Sequence, residues 1–510
     1  MNLLVQVAKA LLAGFLFVVG KFIWNYLTSP CKSFPGPFAA KFTHLWRFFD
    51  VWNGRCDITH NRLHRKYGPA VKMGPNIISL SDPNVIGKVF TARNPWTKSD
   101  MHKVNDVVIN GVRLSNFFST RDEHWHATAI KPIKSLYSMS RVTDVEYGVD
   151  KSIRAYTKKL QEKFIDGPKP EVCDMSDWML YFAWDTMSEI TFKRTLGLVE
   201  AGEDKTGLLK ISSGSLDYFA PVCQIPELDL LMDKNPIKRF GPPTFAWANV
   251  FSVEALMKRK EDIKAGVSSE YDDYLDKFLQ AKEKNPELVE DNMVITYLLS
   301  NVLAGSDTTA ITLCAATYYV LKNPEVQRKL EKELDSANLE FPVSWKATQT
   351  LPYLDAVMLE AMRIHSGVGL MLERIVPKEG FTLPDGRYIP AGTIVGMNPW
   401  VIHRNEEVFG PDVETFRPER WLQQDGETEE EYEARKKKMK GANLAFGAGP
   451  RTCLGKFLSF LESYKLIGTM FGMFDISLAD PNQEWHVQNS WFVRQSNIKV
   501  NLKRKGEHRS

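Results

Sequence analysis

The sequence predicts a mainly α fold with a minor β portion, standing behind one N-terminal transmembrane helix. Three observations predict it. An apolar run from Leu3 to Leu27 carries only two charges, Lys9 and Lys21. The middle of the chain is mostly helical in its apolar spacing. Two short stretches, 71–80 and 381–397, set apolar strand formers beside turn residues. The chain has 510 residues, 44% hydrophobic and 25% charged, a composition that excludes disorder for its bulk. A prior of about 150 residues per domain suggests about three domains. The chemically suggestive motifs, however, lie far apart and serve one site, which favours a single domain. Lys+Arg 65 against Asp+Glu 62 gives +3 with no long basic stripe, so nucleic-acid binding is disfavoured.

The apolar run comes first. A bilayer core of about 30 Å needs roughly 20 helical residues, so this run spans it if the lysines snorkel. Trp24 and Tyr26 stand where interfacial aromatics belong, and Lys32, Lys41 and Arg47 follow, which leaves the downstream domain in the cytoplasm. A cleaved secretory signal fits less well, because no charge precedes Lys9 and Ser29-Pro30-Cys31 is a poor cleavage context. The expected division is an anchor at 1–29, a proline-rich joint at 30–40 and one domain at 41–510. Phe34-Pro35-Gly36-Pro37-Phe38 makes the joint stiff and non-helical.

Within the domain, VKMGPNIISL (71–80) reads as two short strands around a turn. Cys56, His60 and His64, at i, i+4 and i+8, drift round a helix and converge poorly on one ion. Six cysteines at 31, 56, 173, 223, 314 and 453 form no CxxC pair and read as reduced thiols facing a cytosolic environment. In the apolar run YLLSNVLAGSDTTAITLCAATYYVL, Gly305, Thr308 and Thr309 weaken a helix centre and predict a local opening. Asn323-Pro324 opens the next helix with a capping residue and a proline at its first position. FTLPDGRYIPAGTIVGM (381–397) has the turns of a small meander. ETEEEYEARKKKMK (427–440) reads as a solvated helix with Glu431–Arg435 and Glu433–Lys437 pairs.

The segment FGAGPRTCLGKFLSFLE (446–462) carries the chemistry. A cysteine with no nearby cysteine or histidine builds no zinc site locally. As a catalytic nucleophile it would want a histidine and an orienting group elsewhere, which the sequence neither shows nor excludes. As an axial haem ligand, the surroundings of Cys453 make sense one by one. Gly449 and Gly455 let backbone N–H groups approach the sulfur. Arg451 reaches a haem propionate by a charge-assisted bond, and Phe446 covers the sulfur side. The segment after Gly455 starts a helix whose N-terminal dipole favours a thiolate.

The pattern F-x-x-G-x-R-x-C-x-G, present as Phe446, Gly449, Arg451, Cys453 and Gly455, resembles the haem loop of the cytochrome P-450 monooxygenases. Glu360-Ala361-Met362-Arg363 resembles the family's E-x-x-R helix, and Phe416 to Trp421 its second arginine motif. The resemblance implies a buried structural triad of Glu360, Arg363 and Arg420. Ala304 to Thr309 resembles the oxygen-activating helix, with Thr308 hydrogen-bonding dioxygen or its water and Asp307 feeding protons. Arg374 resembles a propionate-binding arginine. His124-Trp125-His126 lies where the family places a propionate-binding aromatic or histidine, here Trp125 and His126. The arginine usual four residues on is absent, with Ala129 and Ile130 in its place and Lys131 the nearest base. Trp96 to Asp100, HRNEEVFGPD and FRPERW look most like the fungal microsomal branch, near the pisatin demethylase-like enzymes.

The resemblance therefore implies the cytochrome P-450 fold, with haem b between the distal helix and the proximal cysteine loop. It implies a monooxygenase acting on a small lipophilic substrate by hydroxylation, O-demethylation or epoxidation, in fungal secondary metabolism or detoxification. The pocket would be built from 101–118, 216–240, the region of Leu303 and 367–371. The competing class is a haem-thiolate isomerase or dehydratase, or a haem protein that binds without oxygenating. The Asp307-Thr308 pair separates them, since proton delivery to dioxygen needs it and ligand binding does not. The chain shows no Gly-x-Gly-x-x-Gly fingerprint, so electrons are expected from a separate NADPH–haemoprotein reductase. Lys456 and the run Arg435 to Lys440 are its expected docking charges, and the endoplasmic reticulum membrane the expected location.

Overall fold

Little charge and no proline interrupt the N-terminal apolar run, and it forms one helix, α1 (Asn2–Thr28). Its Leu4–Thr28 portion has a mean hydropathy of 1.8 and its most apolar stretch is unburied, so it is long and apolar enough to cross a membrane. This computed structural model describes residues 2–109, 112–167, 171–242, 246–267 and 271–506. Met1 of the expected anchor, 110–111 of the expected pocket segment and 507–510 of the expected domain lie outside the described residues.

The end of α1 is tied to the body. Asn25 Nδ2 donates to the Phe42 carbonyl at 2.8 Å, and the Tyr26 ring stacks on Phe42. The proline-rich joint is no free spacer either. Phe34 is buried, and the Lys72 N–H donates to the Pro35 carbonyl at 2.7 Å. A Cβ at Gly36 would stand 2.2 Å from the Lys72 carbonyl oxygen, so this approach demands glycine. Lys72 belongs to β1 (Ala70–Gly74), which pairs antiparallel with β2 (Ile77–Leu80).

The helical part follows in chain order as α2 (Glu123–Ile130), α3 (Met175–Phe192), α4 (Leu208–Val222) and α5 (Asp291–Lys322). Next come α6 (Pro324–Ser336) and α7 (Pro352–Ile364). The 32-residue α5 runs through the main core against α3, and a Cβ at Gly305 would lie 2.7 Å from the Met187 sulfur. The expected local opening does not occur, because α5 is continuous through 304–309. The Ser306 and Thr308 hydroxyls donate to the Val302 and Ala304 carbonyls at 2.8 Å without breaking the helix. Close packing on α3 keeps the axis regular. Asn323 is not the expected side-chain cap of α6; its amide donates back to the Tyr319 carbonyl at 2.7 Å.

Two further strands, β3 (Leu372–Ile375) and β4 (Ile394–Met397), complete a sheet of order β1-β2-β4-β3 in which only β2 and β4 run parallel. The expected meander at 381–397 therefore splits. Phe381–Thr382 pairs with Tyr388–Ile389 as a small hairpin, while the remainder joins β2 from 317 residues upstream, Ile394 beside Ile77. The chain ends in α8 (Glu429–Ala442), α9 (Lys456–Met473) and a hairpin of β5 (His486–Ser490) and β6 (Phe492–Ser496), before a last strand. The expected ion pairs of α8 are replaced. Glu431 closes a capping box with Thr428, and Arg435 turns to Glu427 at 2.6 Å and to the Leu422 carbonyl at 2.8 Å. Cys56, His60 and His64 share the helix Cys56–Tyr67 but diverge: His60 reaches Asn398, and His64 reaches Ser79 and the Gly68 carbonyl.

Candidate active site

The loop between α8 and α9 is closed by the Cys453 N–H, which donates to the Phe446 carbonyl at 2.8 Å. Gly449 is required twice over. Its φ of +67° is left-handed, and a Cβ there would lie 1.9 Å from the Phe90 carbonyl oxygen. Gly455 differs: a Cβ would sit at an ordinary 4.0 Å from the Cys453 sulfur. Its contribution is its N–H, which with that of Lys456 hydrogen-bonds the sulfur at the start of α9.

Of the six cysteines, all free, five are buried and Cys453 is exposed. Desolvation nevertheless pushes its thiol up, against the pull of the two N–H groups and the Lys456 charge. The residue as a whole is exposed, while protein atoms crowd its sulfur. Phe446 meets Phe460 edge-on at 5.3 Å, and the Lys456 ammonium stands 5.7–5.9 Å from the rings of Phe446, Phe457 and Phe460.

Beside the loop, cations gather away from water. Arg451 is bonded to Glu123 at 2.8 Å and to the Phe117 and Thr120 carbonyls. Arg374, on β3, lies face-on to Phe90 at 5.0 Å, and burial lowers its pKa to about 10. Lys98 donates to the Phe118 carbonyl at 2.6 Å; burial, then Arg374 and Arg451, push its ammonium well down. Arg374 and Arg451 line one small pocket with Phe90, Trp96 and Glu123. Three enclosed cations face one carboxylate, and Glu123 Oε1 has no partner. Such an excess of positive charge is unfavourable by itself and suits a dianionic group. The two propionates of haem fit it. Lys98 and Glu123 are members that sequence reasoning missed, since a lone lysine in a loop and an acid in a first helical turn carry no spacing signal.

Trp125 and His126 belong to the same wall. Asp122 caps α2 by accepting the Trp125 N–H at 2.9 Å. The Trp125 ring stacks on Phe117, which stacks on Tyr297 of α5. Burial, with Arg451 and Lys98 nearby, lowers His126 to about 3, so its ring is neutral. Lys131 is exposed at the end of α2.

On α5, Ala304 is exposed and Thr308 half-buried one turn later, while Ser306, Asp307, Thr309 and Ala310 are buried. One face of the helix therefore opens. Asp307 turns the other way and accepts from Trp184 Nε1 at 2.8 Å and Ser212 Oγ at 2.7 Å. Burial pushes its carboxyl up against those two hydrogen bonds. Tyr137 joins α5 to the loop: its hydroxyl donates to Asn301 at 2.9 Å, and Cys453 is close enough to add to the effect of burial in raising the phenol.

Behind the site, Glu360 accepts two hydrogen bonds from Arg363 and one from Arg420, each at 2.8 Å, and one from Trp421 at 2.9 Å. Arg363 also donates to the His403 and Val413 carbonyls, so all three charges are buried and fully bonded.

The description of the Cytochrome P450 family matches residues 36–502. The chain is 38% identical to the cytochrome P450 monooxygenase cfoH of Aspergillus candidus, over 94% of this chain and 89% of that protein. It is 38% identical to cytochrome P450 monooxygenase cicH of Emericella nidulans, over 96% of each. It is 33% identical to cytochrome P450 monooxygenase vrtE of Penicillium aethiopicum, over 96% of this chain and 93% of that protein.

Proposed function

The chain belongs to the cytochrome P450 family and is a haem-thiolate monooxygenase, and from that premise we propose where and on what it works. It sits on the endoplasmic reticulum membrane through α1, its domain cytosolic, and takes electrons from a separate NADPH–haemoprotein reductase. It oxidises a small lipophilic substrate by hydroxylation, O-demethylation or epoxidation, in fungal secondary metabolism. The fungal sources of its relatives support the setting.

The observation that carries the site assignment is Cys453: exposed where the other five cysteines are buried, bonded by two backbone N–H groups at the head of α9, and set beside enclosed cations. Cys453 would hold the haem iron as a thiolate, and Phe446 would shield the outer side of the sulfur. Arg374, Arg451 and Lys98 would hold the propionates, with Trp125 and His126 along the same wall. When bound, haem supplies dioxygen activation, in which one oxygen atom enters the substrate and the other leaves as water with two protons and two electrons. Thr308 holds its proton on a hydroxyl now donated to Ala304, and rotation about χ1 offers that proton to the open face. Asp307, beside Thr308 in sequence, accepts from Trp184 and Ser212 behind α5, and burial pushes its carboxyl up toward taking a proton. Glu360, Arg363 and Arg420 touch none of this and hold the loop-bearing side of the fold.

The test is spectroscopic. Reduced protein with carbon monoxide should show the red-shifted Soret band of thiolate ligation, and Cys453→Ala should abolish it. A histidine-type spectrum from the folded wild type would overturn the assignment.

A further inference from the structure

Segments far apart in sequence meet next to the enclosed cations: His102, Phe118, Phe219 of α4, and Trp491 at the tip of the β5–β6 hairpin. The three large rings pack edge-on, with centroids 5.2 Å apart for Phe118–Trp491, 5.7 Å for Phe219–Trp491 and 6.1 Å for Phe118–Phe219. His102 lies 5.3 Å from Phe118 and 6.4 Å from Trp491. Lys98 joins this cluster to the cation pocket, since its ammonium stands 4.7 Å from the Phe118 ring. Phe118 is the half-buried member, while His102, Phe219 and Trp491 are buried.

Two features exceed what apolar packing needs. The first is Trp491, held at φ +76°, a conformation that a bulky side chain adopts only under constraint. The constraint is visible. The Gly369 N–H donates to the Trp491 carbonyl at 2.9 Å, and Ser490 Oγ donates to Asp217 of α4 at 2.6 Å. Gly369 must be glycine for this, because a Cβ would stand 2.3 Å from Asn489 Nδ2.

The second feature is His102, which is 2% exposed. Its Nδ1 lies 3.2 Å from the Ser99 carbonyl, which only accepts, so Nδ1 carries the hydrogen and Nε2 the lone pair. Burial, then Lys98 and Arg374, lower its pKa well below the ordinary value, which keeps the ring neutral. Nε2 has no hydrogen-bond partner among the described residues. A substrate O–H would give this acceptor the donor that the described residues do not supply.

We propose that this cluster sets substrate specificity and selects a hydroxylated aromatic molecule, whose ring packs against Phe118, Phe219 and Trp491 and whose phenolic O–H donates to His102 Nε2. The inference rests on the reading above that the chain is a haem-thiolate monooxygenase with its thiolate at Cys453 and its open face on α5. Edge-to-face contact rewards an aromatic ring over a saturated one of equal size. The neutral acceptor rewards a donor and rejects an ether.

The experiment uses the full-length holoenzyme and three probes of one size: 2-naphthol, 2-methoxynaphthalene and decahydro-2-naphthol. Binding is read by the haem spin-state shift and by calorimetry, after the carbon monoxide band has been recorded. Wild type should bind 2-naphthol at least about tenfold more tightly than either comparator. His102→Phe should abolish discrimination against the methyl ether and keep that against the saturated alcohol. Phe219→Leu should do the reverse. Equal binding of all three probes by a wild type with an intact carbon monoxide band overturns this inference and leaves the haem-thiolate reading standing. A missing band overturns that reading itself. A preference for 2-naphthol over its ether that survives His102→Phe removes the assigned acceptor.

Discussion

Gly449 meets two demands at once, and they separate it from Gly455 six residues on. At φ +67° a side chain incurs about 1–2 kcal/mol of backbone strain, and at Gly449 it also collides with the Phe90 carbonyl. Gly449→Ala should therefore lose most of its haem, read as the ratio of Soret to protein absorbance. Gly455→Ala, with ordinary φ and open space, should keep it. Equal loss in the two would show that the loop is held by something other than this close approach. Thr308 is the second residue with a separable effect. Thr308→Ala removes the hydroxyl from the open face of α5 while leaving the helix intact, since that hydroxyl supports only the Ala304 carbonyl. Haem content and NADPH consumption should persist while electrons are diverted to hydrogen peroxide. Unchanged coupling to product would take the proton role away from Thr308.

At the scale of elements, α7 is fastened to the 409–421 segment through one carboxylate. Burial alone would raise the Glu360 carboxyl, yet hydrogen bonds and charge from Arg363, with the charge of Arg420, bring it below the ordinary range. The stability this contributes is present above the unfolded carboxylate pKa and is lost as pH falls through the lower folded value. Glu360→Ala leaves two buried guanidinium groups uncompensated, at a cost of about 3–5 kcal/mol. The expected result is little soluble, haem-loaded protein. A variant that folds, binds haem and loses only turnover would move Glu360 from the framework into the chemistry. α8 shows how an element can be foreseen while its contacts are not. Its acidic-then-basic order predicts a helix, but Glu427 lies outside that helix and captures Arg435.

On the scale of the whole molecule, α1 is long and apolar enough to cross a membrane, and the proposed anchoring and electron supply are separable by experiment. Deleting 3–27 should release the protein from membranes, measured by sedimentation of microsomes. Retention of all the protein in the pellet would show that other surfaces suffice. For the electron donor, Arg435 and Lys436 are engaged within the fold, whereas Lys437 and Lys440 are exposed. Lys440 is near enough to Lys456 that its charge adds to burial in lowering the Lys456 pKa. Lys437→Glu with Lys440→Glu should slow the first electron transfer at low salt, with the difference shrinking as ionic strength rises and substrate affinity unchanged. Equal reduction rates in the variant and wild type would place the docking surface elsewhere.

What the sequence determined by itself was local. The apolar run of α1, the strands at 71–80, the proline start of α6 and the glycine-flanked Cys453 each announce themselves within ten to twenty-five residues, because they express backbone propensity, length or a fixed spacing. Even Glu360 and Arg363, three apart on α7, stand on one face by helical geometry alone. Tertiary structure decided what depends on distant segments packing together. β4 leaves the expected meander for β2 because their edges meet in one sheet. The glycine and threonines of α5 leave that helix unbroken because α3 packs against it. Asp307 turns away from its neighbour Thr308 because Trp184 and Ser212 lie on the other side of the helix. Lys98, Glu123, Arg374 and Arg451 become one electrostatic site only when a loop, a helix start, a strand and the cysteine loop are folded together. Spacing along the chain records what neighbours within a few residues must do; burial, charge balance and which way a side chain faces are set by residues hundreds of positions away.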